Sequence, residues 1–214
     1  MAIAFDYFSK SAYVASGGAT LAHTCTGSNL RLWAYAYVGN NAAISATYNG
    51  VSMTAGPFIA MTGAAAGQYI RSWYLDNPAT GTHNIVWTTT ADMYGFGASY
   101  TGMAQTGTLD SSNTGGNTTA TSLTVSTTTV ADNCWLTGFA YTASAATMGS
   151  NTTSRGNTSS VLYVIDSNSD QTPAGSKSMT VTHASGFDGM LVISNAPSTG
   201  TAPITNPAML MMML

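Results

Sequence analysis

The sequence predicts an all-β protein: an antiparallel β-sandwich, jelly-roll-like, of roughly ten to twelve short strands. Three observations carry this. The 214 residues hold only five Lys or Arg and eight acidic residues. Every acidic residue is an aspartate, and Thr, Ser, Asn, Gly and Ala stand where a helical protein has Glu, Lys and Arg. Several windows alternate apolar and polar positions with period two, as half-buried strands do, and clusters of Gly, Pro, Asn and Asp suited to turns separate them.

The chain opens with MAIAFDYFSKSAYV, in which Asp6 interrupts an apolar run that has no basic flank, so neither a signal peptide nor a membrane span is expected. Residues 1–15 are expected to form a first strand or an arm laid on a neighbouring subunit, with Ile3, Phe5 and Phe8 as the contact side chains. In NLRLWAYAYV, Leu30, Leu32, Ala34 and Ala36 share one face while Arg31, Trp33, Tyr35 and Tyr37 share the other. Both faces are bulky or apolar, which predicts a central strand covered on both sides. Asn49-Gly50 predicts a tight hairpin, because both turn positions need positive φ.

Further strands are expected within residues 68–75, 82–90, 94–103, 121–127, 133–142, 160–167, 177–184 and 189–196, with loops such as DSSNTGGNTT and MGSNTTSRGN between them. An internal echo accompanies them. A shift of 94 positions lays Gly81 on Gly175, Ile85 on Met179, Thr88 on Thr182 and Gly95 on Gly189. Two pseudo-repeated Greek-key halves folded into one sandwich would produce this, as would coincidence in a chain rich in Thr and Gly. The expected organisation is the arm or first strand at 1–15, a sandwich domain at 16–196, and at 197–214 an extended linker carrying an apolar C-terminal clamp.

A net charge of −3 without a basic cluster argues against nucleic acid as a partner. Such a polar, nearly uncharged exterior suits a subunit fixed in an assembly. Cys25 and Cys134 define neither a metal spacing nor a disulfide framework; they are expected to be small core residues, with a bridge between them as the alternative. His23, His83 and His183 each stand alone in strand-like sequence, which gives no metal motif and no cofactor. The stretch DSNSD (166–170) is the nearest approach to a calcium loop and lacks the spacing of one. No Gly-x-Ser-x-Gly elbow or phosphate-binding loop is present, and most aspartates sit in turn-like sequence, so the chain is not expected to be an enzyme. Trp33, Trp73, Trp87 and Trp135 lie in apolar strands, where core packing is expected; an exposed row of them would instead stack on sugars.

The succession NLRLWAYAYV, NGVSMT, SWYLDNPATGTHNIVW and GASYTGM, then a long Thr-rich loop and a second half, resembles the β-sandwich structural domains of tailed-bacteriophage virion proteins, which have relatives in exported bacterial surface proteins. The similarity covers residues 20–196 and is most specific at 73–87, the pattern WYL-x-NP-x-x-GTH-x-I-x-W. These motifs are structural, so no catalytic residue transfers. The resemblance implies a non-enzymatic virion protein assembled in the host cytoplasm, with a capsid decoration (cement) role and a homotrimeric state expected. Its expected partner is the major capsid protein or another virion protein. The alternative is a receptor- or glycan-binding module of a phage tail or fibre or of an extracellular surface protein, using the loops at 107–119 and 144–159.

The terminal AMLMMML has a physical place in that reading. Met209, Leu210, Met211, Met212, Met213 and Leu214 are adaptable apolar side chains able to mould to a groove on a neighbour. Burying about five of them contributes on the order of 8 to 15 kcal/mol before ordering costs. The alternative is a segment folded back on its own sandwich; seven apolar residues are too few to span a bilayer.

Overall fold

A computed structural model describes residues 1–105 and 109–198. The first half of the chain supplies nine strands: β1 (Ala4–Lys10), β2 (Ala19–Cys25), β3 (Arg31–Val38), β4 (Ile44–Tyr48), β5 (Val51–Ser52), β6 (Thr54–Ala60), β7 (Tyr69–Asp76), β8 (Gly81–Thr89) and β9 (Met93–Thr101). All pairing is antiparallel, in one sheet ordered β1-β9-β3-β7-β6 and a second ordered β2-β8-β4-β5. Strands β1, β9, β3 and β7 in one sheet facing β2, β8, β4 and β5 in the other, in these orders, make a jelly roll. Leu32, Ala34, Ala36, Trp73, Ile85 and Trp87 fill the space between the two sheets.

The second half adds β10 (Ser111–Thr129), β11 (Trp135–Thr142), β12 (Ala146–Met148), β13 (Thr153–Thr158), β14 (Leu162–Asp166) and β15 (Gly175–Asn195). β10 and β15 pair with each other over almost their whole length, and the resulting ribbon folds back on itself. Ser111 Oγ lies 2.8 Å from Thr127 Oγ1, and Asn113 Nδ2 donates to the Ser126 carbonyl. At the corner, His183 Nε2 and Asp188 Oδ2 meet at 2.9 Å with both side chains fully buried. One arm of the ribbon continues into β11, β14 and β13; the other carries β12. Between the arms lie Leu123, Val125, Leu136, Ile165, Met179 and Val192.

The second half therefore repeats the first. The start of β10, the end of β15, β11, β14 and β13 stand in the order of β1, β9, β3, β7 and β6, and the remaining arm repeats β2, β8 and β4. Each half is a sandwich in its own right, not half of one as the sequence suggested. The echo at Gly81 and Gly175 is real: both open a strand, and Ile85 and Met179 occupy equivalent cores. The match of Gly95 with Gly189 is one residue out. Gly95 pairs with Ala36, whereas Ala140, the counterpart of Ala36, pairs with Met190, because the second ribbon's corner holds one residue more.

The two sandwiches pack back to back. Trp33, Tyr35, Ile70 and Phe96 of the first meet Phe139, Leu162, Leu191 and Ile193 of the second in one continuous core. Asn195, fully buried, accepts from Arg31 and from the Trp33 indole and donates to Thr137 Oγ1 at 2.9 Å, tying the halves by polar contacts as well. The expected central strand is β3, flanked by β9 and β7 and covered on both faces. The Asn49-Gly50 turn has φ of 48° and 77°, as the hairpin requires.

Candidate functional site

β1 is a strand of the chain's own sheet, paired with β9, so the arm reading gives way to the first-strand one. Ile3 is buried in the shared core, and Phe5 and Phe8 pack against it. Phe8 lies over Gly156 of β13, where a Cβ would come within 2.2 Å of its ring. The Arg155 guanidinium sits 4.4 Å above Phe5. Apolar side chains on a strand that borders the second sandwich find their cover there, so the surface these residues bind is the other half of the same chain. The boundary expected at residue 15 accordingly falls inside the first sandwich. Met209, Leu210, Met211, Met212, Met213 and Leu214 lie outside the described residues.

What the described residues establish is where the tail departs. The Met1 amino group donates to the Ser198 carbonyl at 3.0 Å, and Ser198 N donates to the Gly102 carbonyl at 2.7 Å. Met103 and Pro197 form a β-bridge beside them. Both ends of the described chain thus meet at the pole where β3 begins.

At the other end of β3, roughly 23 Å away by strand rise, a seam of rings crosses from one half to the other. Tyr13 and Tyr94 have centroids 5.2 Å apart, Tyr37 stacks on Tyr141 at 4.9 Å, and Tyr141 meets Phe187 at 5.5 Å. Tyr13 is 52% exposed and donates to Asp92. The four tryptophans are all buried in cores, as expected, so they offer no sugar-stacking row.

A third feature is the mouth of the first sandwich, where the start of β4 in one sheet and β6 and β7 in the other border a common cleft. The cleft there is lined by Ile44, Ala55, Phe58, Arg71 and Trp73. The Arg71 guanidinium lies 5.2 Å from the Phe58 ring centroid and 5.3 Å from that of Tyr69, and Nη2 donates to Asn41 Oδ1. Its Nε is sealed from solvent and has no acceptor among the described residues.

The titratable groups that sequence left isolated prove to be networked. His23, fully buried, has Nδ1 2.7 Å from Ser9 Oγ and Nε2 3.1 Å from Ser99 Oγ. Ser99 donates its proton to Asp6 Oδ2 at 2.6 Å, so its oxygen accepts from Nε2–H and Nδ1 accepts from Ser9. The ring is therefore neutral, and burial, opposed by the Asp6 charge, pushes its pKa down to about 4. The carboxylate reaches Ser99 and Thr26 instead of the ring, an arrangement that ties β1, β2 and β9 together and differs from a serine-histidine-aspartate relay. The one signal in the sequence was His23, a polar residue on the strand face that otherwise carries Ala19, Leu21 and Cys25.

The DSNSD stretch is occupied by a cation of the chain itself. Arg155 Nε donates to Asp166 Oδ2 at 2.6 Å and Nη2 donates to Asn168 Oδ1 at 2.5 Å. Burial holds the Asp166 carboxyl above the ordinary range, and Arg155 opposes that shift. Among the described residues no cluster of three or more His, Cys, Asp or Glu is placed to hold a metal. Cys25 and Cys134 are free, buried thiols, and desolvation raises the latter to about 11. The segments expected as binding loops largely hold strands: residues 111–119 open β10, and 144–159 contain β12 and β13. Comparison with protein-family models, curated proteins and solved structures gives no match to this chain.

Proposed function

We propose that the chain is a non-enzymatic structural protein of a bacteriophage virion, a capsid decoration protein that assembles as a homotrimer and is held to the major capsid protein or another virion protein by its terminal segment. The observation that carries this reading is the meeting of Met1 and Ser198 at one pole. The described residues end at that pole, so on this reading the linker and AMLMMML attach the protein from that side and the opposite pole, with its ring seam, faces outward. The jelly-roll sandwich, the nearly uncharged exterior and the resemblance over residues 20–196 support the same reading.

The test compares the full chain with a version ending at Asn206, by light scattering and by co-sedimentation with undecorated capsids. Truncation is expected to leave the fold intact and abolish capsid binding. Two folded proteins that behave identically in both assays overturn the reading. A second reading, a receptor- or glycan-binding module, is favoured by Arg71 in the mouth of the first sandwich, which has no ion pair among the described residues.

A further inference from the structure

We infer that the mouth of the first sandwich binds a carboxylate-bearing sugar, a uronic or sialic acid unit of a surface glycan, with Arg71 as the anion anchor and Phe58 as the stacking face. This rests on the glycan-binding reading and is independent of anchoring by the tail.

Charge is the first argument. Arg31 and Arg155 are each neutralised by an aspartate, Asp76 and Asp166. Arg71 forms no ion pair among the described residues. It is nevertheless held in place, within 5.2 Å of the Phe58 ring centroid and 5.3 Å of that of Tyr69, with one nitrogen fixed by Asn41. A guanidinium already ordered by rings and an amide loses little further freedom when a carboxylate arrives, and its Nη1 end, away from the sealed Nε, carries N–H donors suited to that group.

The second argument is internal, because the chain contains the same architecture twice. In the β3–β7 ladder Arg71 pairs with Ala36; in the β11–β14 ladder Ala140 pairs with Tyr163. Tyr163 is thus the counterpart of Arg71. It is 4% exposed and closes its mouth, accepting from Ala146 N at 2.8 Å and donating to the Ser160 carbonyl. Across the first mouth, Ile44 occupies the place of Ala146, and the one hydroxyl among the described lining residues, that of Ser72, donates to the Pro57 carbonyl instead of bridging the gap. One sandwich is sealed; the other presents a cation.

The third argument concerns shape. Phe58 is 54% exposed and lines the cleft from an edge strand that carries a bulge between Ala55 and Phe58. A flat apolar ring beside a guanidinium matches a pyranose, whose C–H face stacks on the aromatic while its carboxylate meets the cation. Ile44 also borders a second depression containing Ser45, Thr88 and Thr90, which supply hydroxyls for the next sugar unit.

The test titrates the full chain with N-acetylneuraminic acid, glucuronate, glucose and acetate, read by calorimetry and ligand-observed NMR. At least one sugar acid is expected to bind more tightly than either glucose or acetate. Arg71→Gln is expected to weaken that binding about tenfold or more, the loss of one charge-assisted contact, and Phe58→Ala, at an exposed position, to weaken it several-fold. Near-UV circular dichroism establishes that each variant is folded; if Arg71→Gln is not, Arg71→Lys and Phe58→Ala carry the test. Acetate binding as well as the sugar acid means a plain anion hole and overturns the inference. Glucose binding equally well overturns it while leaving the glycan-binding reading in place. Absence of any sugar binding, or binding indifferent to Arg71 and Phe58, overturns it outright.

Discussion

At the residue scale, His23 shows how a group with no motif around it sets a property of the whole. Its imidazole is fully buried, and its folded pKa, near 4, lies below the ordinary 6.5. As pH falls through that window, the unfolded chain takes up a proton that the folded chain refuses. Stability is therefore fully present above the upper value and is lost toward the lower one. At pH 4.5 the loss from this group is expected to be about 2 to 3 kcal/mol. Urea unfolding at pH 7 and pH 4.5, compared between the wild type and His23→Gln, isolates this share from that of the aspartates. The difference between the two pH values is expected to shrink in the variant by that amount, and equal pH dependence in both proteins refutes the assignment. The sequence alone places His23 in a strand-like segment. It does not reveal Ser9 and Ser99, which reach the ring only because β1, β2 and β9 meet at one edge of the sandwich.

At the scale of elements, two glycines separate conformational cost from steric cost. Gly50 takes φ +77° with nothing within 4 Å of the point where an alanine methyl would stand, so Gly50→Ala is expected to cost about 1 kcal/mol through backbone preference alone. A Cβ on Gly138 of β11 would stand 2.1 Å from the Leu191 carbonyl oxygen, and Gly138→Ala is expected to cost about 2 to 3 kcal/mol because the ladder must move. Denaturation midpoints of the two variants test the ordering, which similar losses would contradict. Strands with clear alternation or a demanding turn were legible: β3, β7, β8, β9 and the Asn49-Gly50 hairpin all fall within two residues of expectation. β10 and β15 were legible only in pieces: residues 121–127 lie in β10, and 177–184 and 189–195 lie in β15, but the start of β10 and the continuity of each strand were not legible. DSSNTGGNTT has the composition of a loop, yet it pairs with β15 along the sheet edge. HASGFDGM has the polarity of a break, yet ladder pairing resumes on both sides of the corner that His183 and Asp188 hold. Local composition reports solvent exposure and turn preference; it is silent on a ribbon that bends without a turn.

At the scale of the molecule, the two jelly rolls share a core instead of merely sitting side by side. Phe139 touches both Tyr35 and Phe96 across the junction, with ring centroids 5.6 and 4.9 Å apart. Neither half covers its aromatic face alone, so the chain is expected to unfold in a single cooperative transition. Tryptophan fluorescence, near-UV circular dichroism and calorimetry should give coincident curves; two resolved transitions would show that the halves are energetically separate. The repeat was faintly legible through Gly81 and Gly175, but the pairing of whole sandwiches was not. The faces that join them carry the same apolar alternation as faces turned inward within each half.

The shared core also has a consequence for synthesis. The first sandwich has all its strands once Thr101 has been made, but the partners of Trp33, Tyr35 and Phe96 run on to Ile193. At ordinary translation rates the interval is roughly 5 to 20 s. For that time a nascent chain on the ribosome displays a bare aromatic sheet, long enough for a chaperone to recognise it or for two neighbouring chains on one message to join through it.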